Sequence, residues 1–236
     1  MKPRKIITGG NILEQQKLKK QTMGKKFLFI FLSVNLVGVA VALMLESQLG
    51  CDPIGLLCDG IAHMLSVSFG IGSFVYNLTI IVIALLVARK NLGAGTIVYG
   101  LLSGFFIDFY RSLISGFALG ERGLLIASIA FIIGEVLMAA AFALLMELEI
   151  GMTALDAFLV KIQEKTKIPY AFLKMGMDIC FVVSGGLMGG SFGIGTIISA
   201  MVTGVLVAQW VKVIISMQNK VQNKYVVGGY ENCEEA

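Results

Sequence analysis

The chain has 236 residues, of which 57% are hydrophobic and 14% charged, and its mean hydropathy is +0.86. A soluble domain of this length carries about 25% charged residues, so an ordinary soluble globule is excluded. The formal net charge is +4, with eight of the 19 basic residues packed into the first 26 positions. Charge is missing from several blocks near the ~20 residues that a helix needs to cross a 30 Å hydrocarbon core.

The basic segment 1–26 precedes an apolar run over 27–46 that is too long for a signal-peptide core. It reads as the cytoplasmic flank of a retained first span, and no nucleic-acid partner is expected. Gly50, Asp52 and Pro53 break that span. A shorter segment over 54–66 carries Asp59 and His63 and is expected not to cross. Asp52-Pro53 puts a capping carboxylate before a proline at the first helical position, where the missing N–H costs nothing. Span two runs over 71–88 and span three over 96–117.

Span four runs over 123–146, and a second break follows at Gly151 and Thr153. The segment 154–167 is amphipathic: Leu155, Phe158, Leu159 and Ile162 share one face, and Lys161, Glu164, Lys165 and Lys167 decorate the rest. Such a helix lies in the interface or packs under the bundle. Thr153 and Asp156 have capping-box spacing. Span five covers 170–188, span six covers 196–216, and a polar tail fills 217–236.

Six spans put both termini on one side of the bilayer. With the N-terminus inside, the cytoplasmic flanks hold the eight tail cations, Arg89, Lys90, Lys161, Lys165, Lys167, Lys174, Lys212, Lys220 and Lys224. Only Arg111 and Arg122 remain outside, a strong positive-inside bias.

The chain also matches itself at a shift of about 100 residues. Ala40-Val-Ala-Leu-Met-Leu-Glu46 lies over Ala141-Phe-Ala-Leu-Leu-Met-Glu147, and Leu49-Gly50 over Ile150-Gly151. Gly93-Ala-Gly-Thr-Ile97 lies over Gly193-Ile-Gly-Thr-Ile197, and Gly104 over Gly204. The order of elements repeats too. The expected fold is an all-α membrane protein of two three-span repeats, 27–117 and 118–216, each with one short non-spanning helix. An odd number of spans per repeat inverts the second copy. Inverted repeats are a common construction of secondary transporters, because two such halves can rock between outward-open and inward-open states. Duplication is also simply a way to build a bundle.

Leu49-Gly50-Cys-Asp52-Pro53 with its short helix, Ser68-Phe-Gly70-Ile-Gly-Ser73, Gly93-Ala-Gly-Thr96 and Gly104-Phe-Phe-Ile-Asp108 together resemble the YczE/YyaS/YitT family of bacterial membrane proteins. The likeness covers about 27–216. It implies a multi-pass protein of the bacterial cytoplasmic membrane and no defined chemistry. It also implies a tryptophan soon after Pro53, where this chain has Ile54-Gly55.

Ionisable side chains within spans need a reason, because each costs about 2.5–3.5 kcal/mol to insert. Glu135 and Asp178 lie mid-span with no obvious sequence-local basic partner. They are candidates for proton or cation coupling, or for hydrogen bonds that only hold helices together. Asp108 and Arg111 are three apart on one helix face, either an intrahelical ion pair or a substrate gate. Glu46 and Glu147 occupy equivalent repeat positions, lining two half-pathways or reaching the interface. Asn35 and Asn77 are expected to join helices. Gly100/Gly104 and Gly186/Gly190 are expected at close helix contacts.

No enzyme, metal or cofactor motif is present, and none of those roles is expected. The sequence therefore points to a permease for a small solute, with a proton or cation as coupling ion. The alternative is a non-transporting membrane protein that positions a partner.

Overall fold

The computed structural model describes residues 9–89, 92, 94–147 and 153–234, with side chains over 28–89, 92, 96–145 and 153–216. Among these residues every regular element is helical. In chain order they are α1 (Gly9–Glu46), α2 (Pro53–Leu65), α3 (Phe69–Val87), α4 (Ala94–Ile114), a single 3-10 turn (Ser115–Phe117), α5 (Leu124–Glu147), α6 (Ala154–Thr166), α7 (Tyr170–Leu187) and α8 (Ile194–Glu234). Six helices are long and apolar enough to cross a membrane, in α1, α3, α4, α5, α7 and α8. α1 begins within the basic tail and α8 continues through the polar tail.

The short helices fall short of a span for a simple reason. Each has 13 residues, and at ~1.5 Å per residue that is about 20 Å of helix against a 30 Å core. Their starts fall where the sequence suggests caps. Asp52 stands at the N-cap position of α2, with Pro53 opening the helix, though its carboxylate makes no capping bond of ordinary geometry. Thr153 caps α6 by accepting from the Asp156 N–H at 3.1 Å, and its hydroxyl donates to the Asp156 carboxylate at 2.8 Å. At their far ends, Ser66 and Lys167 both take left-handed backbone and close the last turn.

Contacts along the helices fix their directions. Phe31 meets Phe106 edge to face, and the Tyr110 hydroxyl donates to Asn35 Oδ1 at 2.7 Å, so α1 and α4 run parallel. That bond makes Asn35 the helix-joining group expected of it. Gly70 meets Gly104 while Ile81 meets Gly100, so α3 and α4 run antiparallel. The Gly120 N–H donates to Glu46 O at 3.0 Å, and Gly134 packs on Ala40 and Met44, so α5 returns antiparallel along α1. Glu135 reaches Ser199, and Phe131 abuts Gly195, so α8 runs parallel to α5.

α1 and α5 form the centre. Val37, Ala40, Val41, Met44, Met138 and Ala141 are buried between and around them. α7 and α8 are peripheral and turn large apolar groups outward: Leu187 is 85% exposed and Met201 75%. In water such a surface would be a severe penalty; against lipid chains it is matched.

The two chain motifs that repeat are brought together at the α1 break. Gly50 has φ +107°, and the Leu49 carbonyl accepts from the Gly195 N–H at 2.8 Å. Leu49-Gly50 of the first half thus docks on Gly193-Ile-Gly-Thr of the second. The reciprocal pair falls on Gly151 and Gly93, outside the described residues. The glycine pairs divide: Gly100 and Gly104 sit at close contacts, whereas Gly186 has open space where a side chain would go. Gly55 has none, since a Cβ there would lie 2.3 Å from the Cys51 Sγ. A tryptophan at that position has nowhere to go.

Candidate functional site

Two cavities lie side by side in the bundle. The outer one, about 770 Å³, is a vestibule at the end where α1 and α4 finish and α3 begins. Glu46, Asp59, His63, Asp108, Arg111 and Ser191 are in its wall. The inner one, about 70 Å³, lies among α1–α6 and includes Asp52, Ser73, Tyr76, Tyr99, Ser103 and Thr153 in its wall. One residue, Phe69, lines both, and it is 3% exposed. Phe69 therefore stands where vestibule and inner cavity meet.

The vestibule is held open by polar bonds between helices. Arg111 Nε donates to Glu46 Oε1 at 3.0 Å, tying α4 to α1. Gly70 N–H at the start of α3 donates to Asp108 Oδ1 at 2.8 Å, where a helix N-terminus favours negative charge. Ser191 N–H donates to Asp59 Oδ2 at 2.7 Å. These bonds correct the expectation of an intrahelical Asp108–Arg111 pair. Both residues do face one site, but Asp108 is satisfied by the α3 N-terminus and the longer Arg111 reaches across to Glu46. Three carboxylates stand against one guanidinium in this wall, a field that concentrates cations.

Glu135 is 4% exposed and receives hydrogen bonds from Ser199 (2.9 Å) and Thr203, both on α8. It fastens α5 to α8 and lines neither cavity. Replacing it with Gln leaves an acceptor oxygen for the hydroxyls, so Glu135→Gln is expected to shift stability by less than about 1 kcal/mol. Glu135→Ala strands the buried pair and is expected to cost about 1–3 kcal/mol. Thermal unfolding in detergent checks both.

Asp178 was expected to lack a basic partner; instead Lys174, one turn earlier on α7, donates to it. The i,i+4 spacing makes the pair. Asp178 lines neither cavity. Asn77 does line the inner cavity, and its amide donates to the Ser73 carbonyl at 2.9 Å on its own helix. The Glu147 side chain and Gly151 lie outside the described residues.

Asp52 holds more than a helix break. It is 7% exposed, and the Cys51 thiol donates to its Oδ1 at 3.3 Å. Burial pushes its carboxyl above the usual range, opposed by the Cys51 and Gly55 hydrogen bonds and by the charge of Lys174. Thr153 stands in the same wall, so the N-caps of both short helices converge on one small cavity. Tyr76, 9% exposed, has a hydroxyl with no hydrogen-bond partner among the described residues. The sequence signal for this convergence was the repeat itself: Asp52 and Thr153 hold equivalent positions in the two halves.

Against known proteins, residues 24–212 match the model of a family of unknown function, DUF6198. The chain belongs to the DUF6198 family. It is 23% identical over 188 residues to the uncharacterized membrane protein YczE of Bacillus subtilis (strain 168), covering 79% of this chain and 86% of that one. It is 20% identical over 181 residues to the uncharacterized protein YyaS of the same organism, covering 77% and 90%. No solved structure matches. The resemblance read from the sequence thus holds for YczE and YyaS. With its six apolar helices, this DUF6198 member is a multi-pass α-helical membrane protein.

Proposed function

We propose that the protein is a permease of the bacterial cytoplasmic membrane, built from two inverted three-span repeats with both termini cytoplasmic. It moves a small solute by an ion gradient or passively and performs no chemistry on it. The observation that carries this reading is a pair of neighbouring cavities. A charged vestibule opens at one end, a smaller and largely apolar cavity walled in part by the buried Asp52 lies next to it, and the buried Phe69 lines both. A protein that only positions a partner has no need of a buried carboxyl in a cavity beside a charged vestibule.

Paired helix contacts support the inverted repeat. α1 packs on α4 as α5 packs on α8, and α2 packs on α7 as α6 packs on α3, while α1 and α5 pack on each other antiparallel. α2 and α6 have equal lengths and start 101 positions apart, at 53 and 154. An axis in the membrane plane relating the halves produces each of these pairings. On this reading, Glu46, Asp59, Asp108 and Arg111 receive the solute, and their negative excess admits cations. Gly50, Asp52 and Pro53 with Gly151 and Thr153 form the breaks that shape access. Glu135 and Asp178 act as coupling groups only if rocking frees them from Ser199, Thr203 and Lys174.

Purified protein in liposomes, screened for solute-driven proton movement, tests the reading. Wild type is expected to move protons with at least one solute, and Glu135→Gln and Asp178→Asn separate coupling from helix fastening. If none of the three moves solute or proton under any gradient while all stay folded, the accessory-protein reading replaces this one.

A further inference from the structure

The inner cavity assigns a role to Asp52 that the sequence did not. We propose that Asp52 is the proton-binding group of the inner cavity, shared between its carboxyl, the Tyr76 hydroxyl and cavity water. This deepens the permease reading and rests on it for its place in a cycle, but the binding itself stands on local geometry.

Three observations converge. The carboxyl is almost wholly buried, and its hydrogen-bond donor from a side chain is a thiol, a weak one. A Tyr hydroxyl in the same wall is buried without a partner, and an unmet buried hydroxyl is costly unless water or an ion meets it. The cavity, about 70 Å³, has room for a few waters at about 30 Å³ each, and Ser73, Tyr99, Ser103 and Thr153 supply further polar groups around them.

Release breaks the Oδ–H bond of Asp52 and forms an O–H bond on a cavity water, which leaves as hydronium. Uptake reverses both. The anion left behind accepts from the Cys51 thiol and a cavity water. Other titratable groups that act on this carboxyl, or are acted on by it, come from α2, α3, α4, α5 and α7. They are Cys51 beside it, Cys58 on α2, Tyr76 on α3, Tyr99 on α4, Glu135 on α5, and Lys174 and Asp178 on α7. Lys174 alone among them is cationic, and Asp178 already pairs with it. The fold therefore holds the neutral acid to a higher pH than water does, and raising the pH through the elevated value drives the proton off.

Infrared spectroscopy of the protein in liposomes reads this directly. Wild type minus Asp52→Asn, recorded across a pH series that begins above the usual aspartate range, is expected to show the carbonyl stretch of a neutral carboxylic acid. That band should bleach only well above the usual aspartate value of about 3.9. Tyr76→Phe, which keeps the carboxyl and most of the packing, is expected to displace the band or its midpoint. A difference spectrum without that band at any pH above the usual range overturns the proposal, as does a Tyr76→Phe spectrum identical to wild type. Neither outcome depends on whether any solute is transported, so failure of the permease reading is scored separately in the liposome flux assay.

Discussion

Gly193→Ala is expected to destabilise the folded bundle more than a single-methyl addition at any other described glycine of the second half. A Cβ at that position would lie 2.1 Å from the Leu49 carbonyl oxygen, 2.6 Å from its carbon and 3.0 Å from the Gly50 nitrogen. All three are backbone atoms, and none can swing aside as the end of a side chain would. Relief requires the start of α8 to move off the end of α1, which also lengthens the Gly195 N–H to Leu49 carbonyl bond of 2.8 Å. Overpacking of this kind costs about 1–3 kcal/mol, and the stretched bond adds about 1 kcal/mol. Gly204→Ala serves as the control, because nothing lies within 4 Å of a Cβ there. Thermal unfolding in detergent should show a large drop for Gly193→Ala and almost none for Gly204→Ala. Equal behaviour of the two would mean that the break and the Gly-x-Gly-Thr turn do not dock.

Phe69→Ala is expected to join the two cavities. In wild type, Cys58 lines the inner cavity and is 2% exposed, and burial raises its thiol well above the ordinary value. Only the thiolate attacks alkylating reagents, so a buried Cys58 should react very slowly. Removing the ring lets water and reagent pass from the vestibule. Each ~1.4 kcal/mol of recovered thiolate solvation raises the thiolate fraction about tenfold. Alkylation of Cys58, read by peptide mass spectrometry, should therefore rise by about tenfold or more. Cys180, exposed on the outer face of α7, should keep its wild-type rate. An unchanged Cys58 rate in a folded Phe69→Ala protein would remove Phe69 as the partition.

The spans, the two short helices and their caps were legible because each leaves a local mark. Blocks of ~20 apolar residues, Asp52-Pro53 and the Thr153–Asp156 spacing are all read within a few positions. The family was legible for a related reason, since its motifs sit at the breaks and turns. What failed was pairing at a distance. Arg111 and Glu46 are 65 positions apart, and Asp108 and Gly70 are 38 apart; only the parallel α1·α4 and antiparallel α3·α4 packing brings them together. The Lys174–Asp178 pair was local and was missed because Lys174 was read as a flank charge, although i,i+4 spacing on a helix announces it. Asp52 was read as a helix break because its sequence context shows a cap. That its carboxyl also walls a cavity follows from four other helices closing around it, which no local pattern encodes. Glu135 was found by its depth in span four, but its contacts make it a fastening as readily as a coupling group.

A permease of this kind requires the inner cavity to open alternately to the two sides of the membrane. Ser103, 2% exposed, lies in its wall on α4. With the native cysteines replaced, Ser103→Cys should be labelled by a membrane-impermeant thiol reagent from either face of sealed vesicles. A transported solute or a pH gradient should raise the rate on one face as it lowers the rate on the other. Labelling from one face alone under every gradient, or from neither, would contradict it.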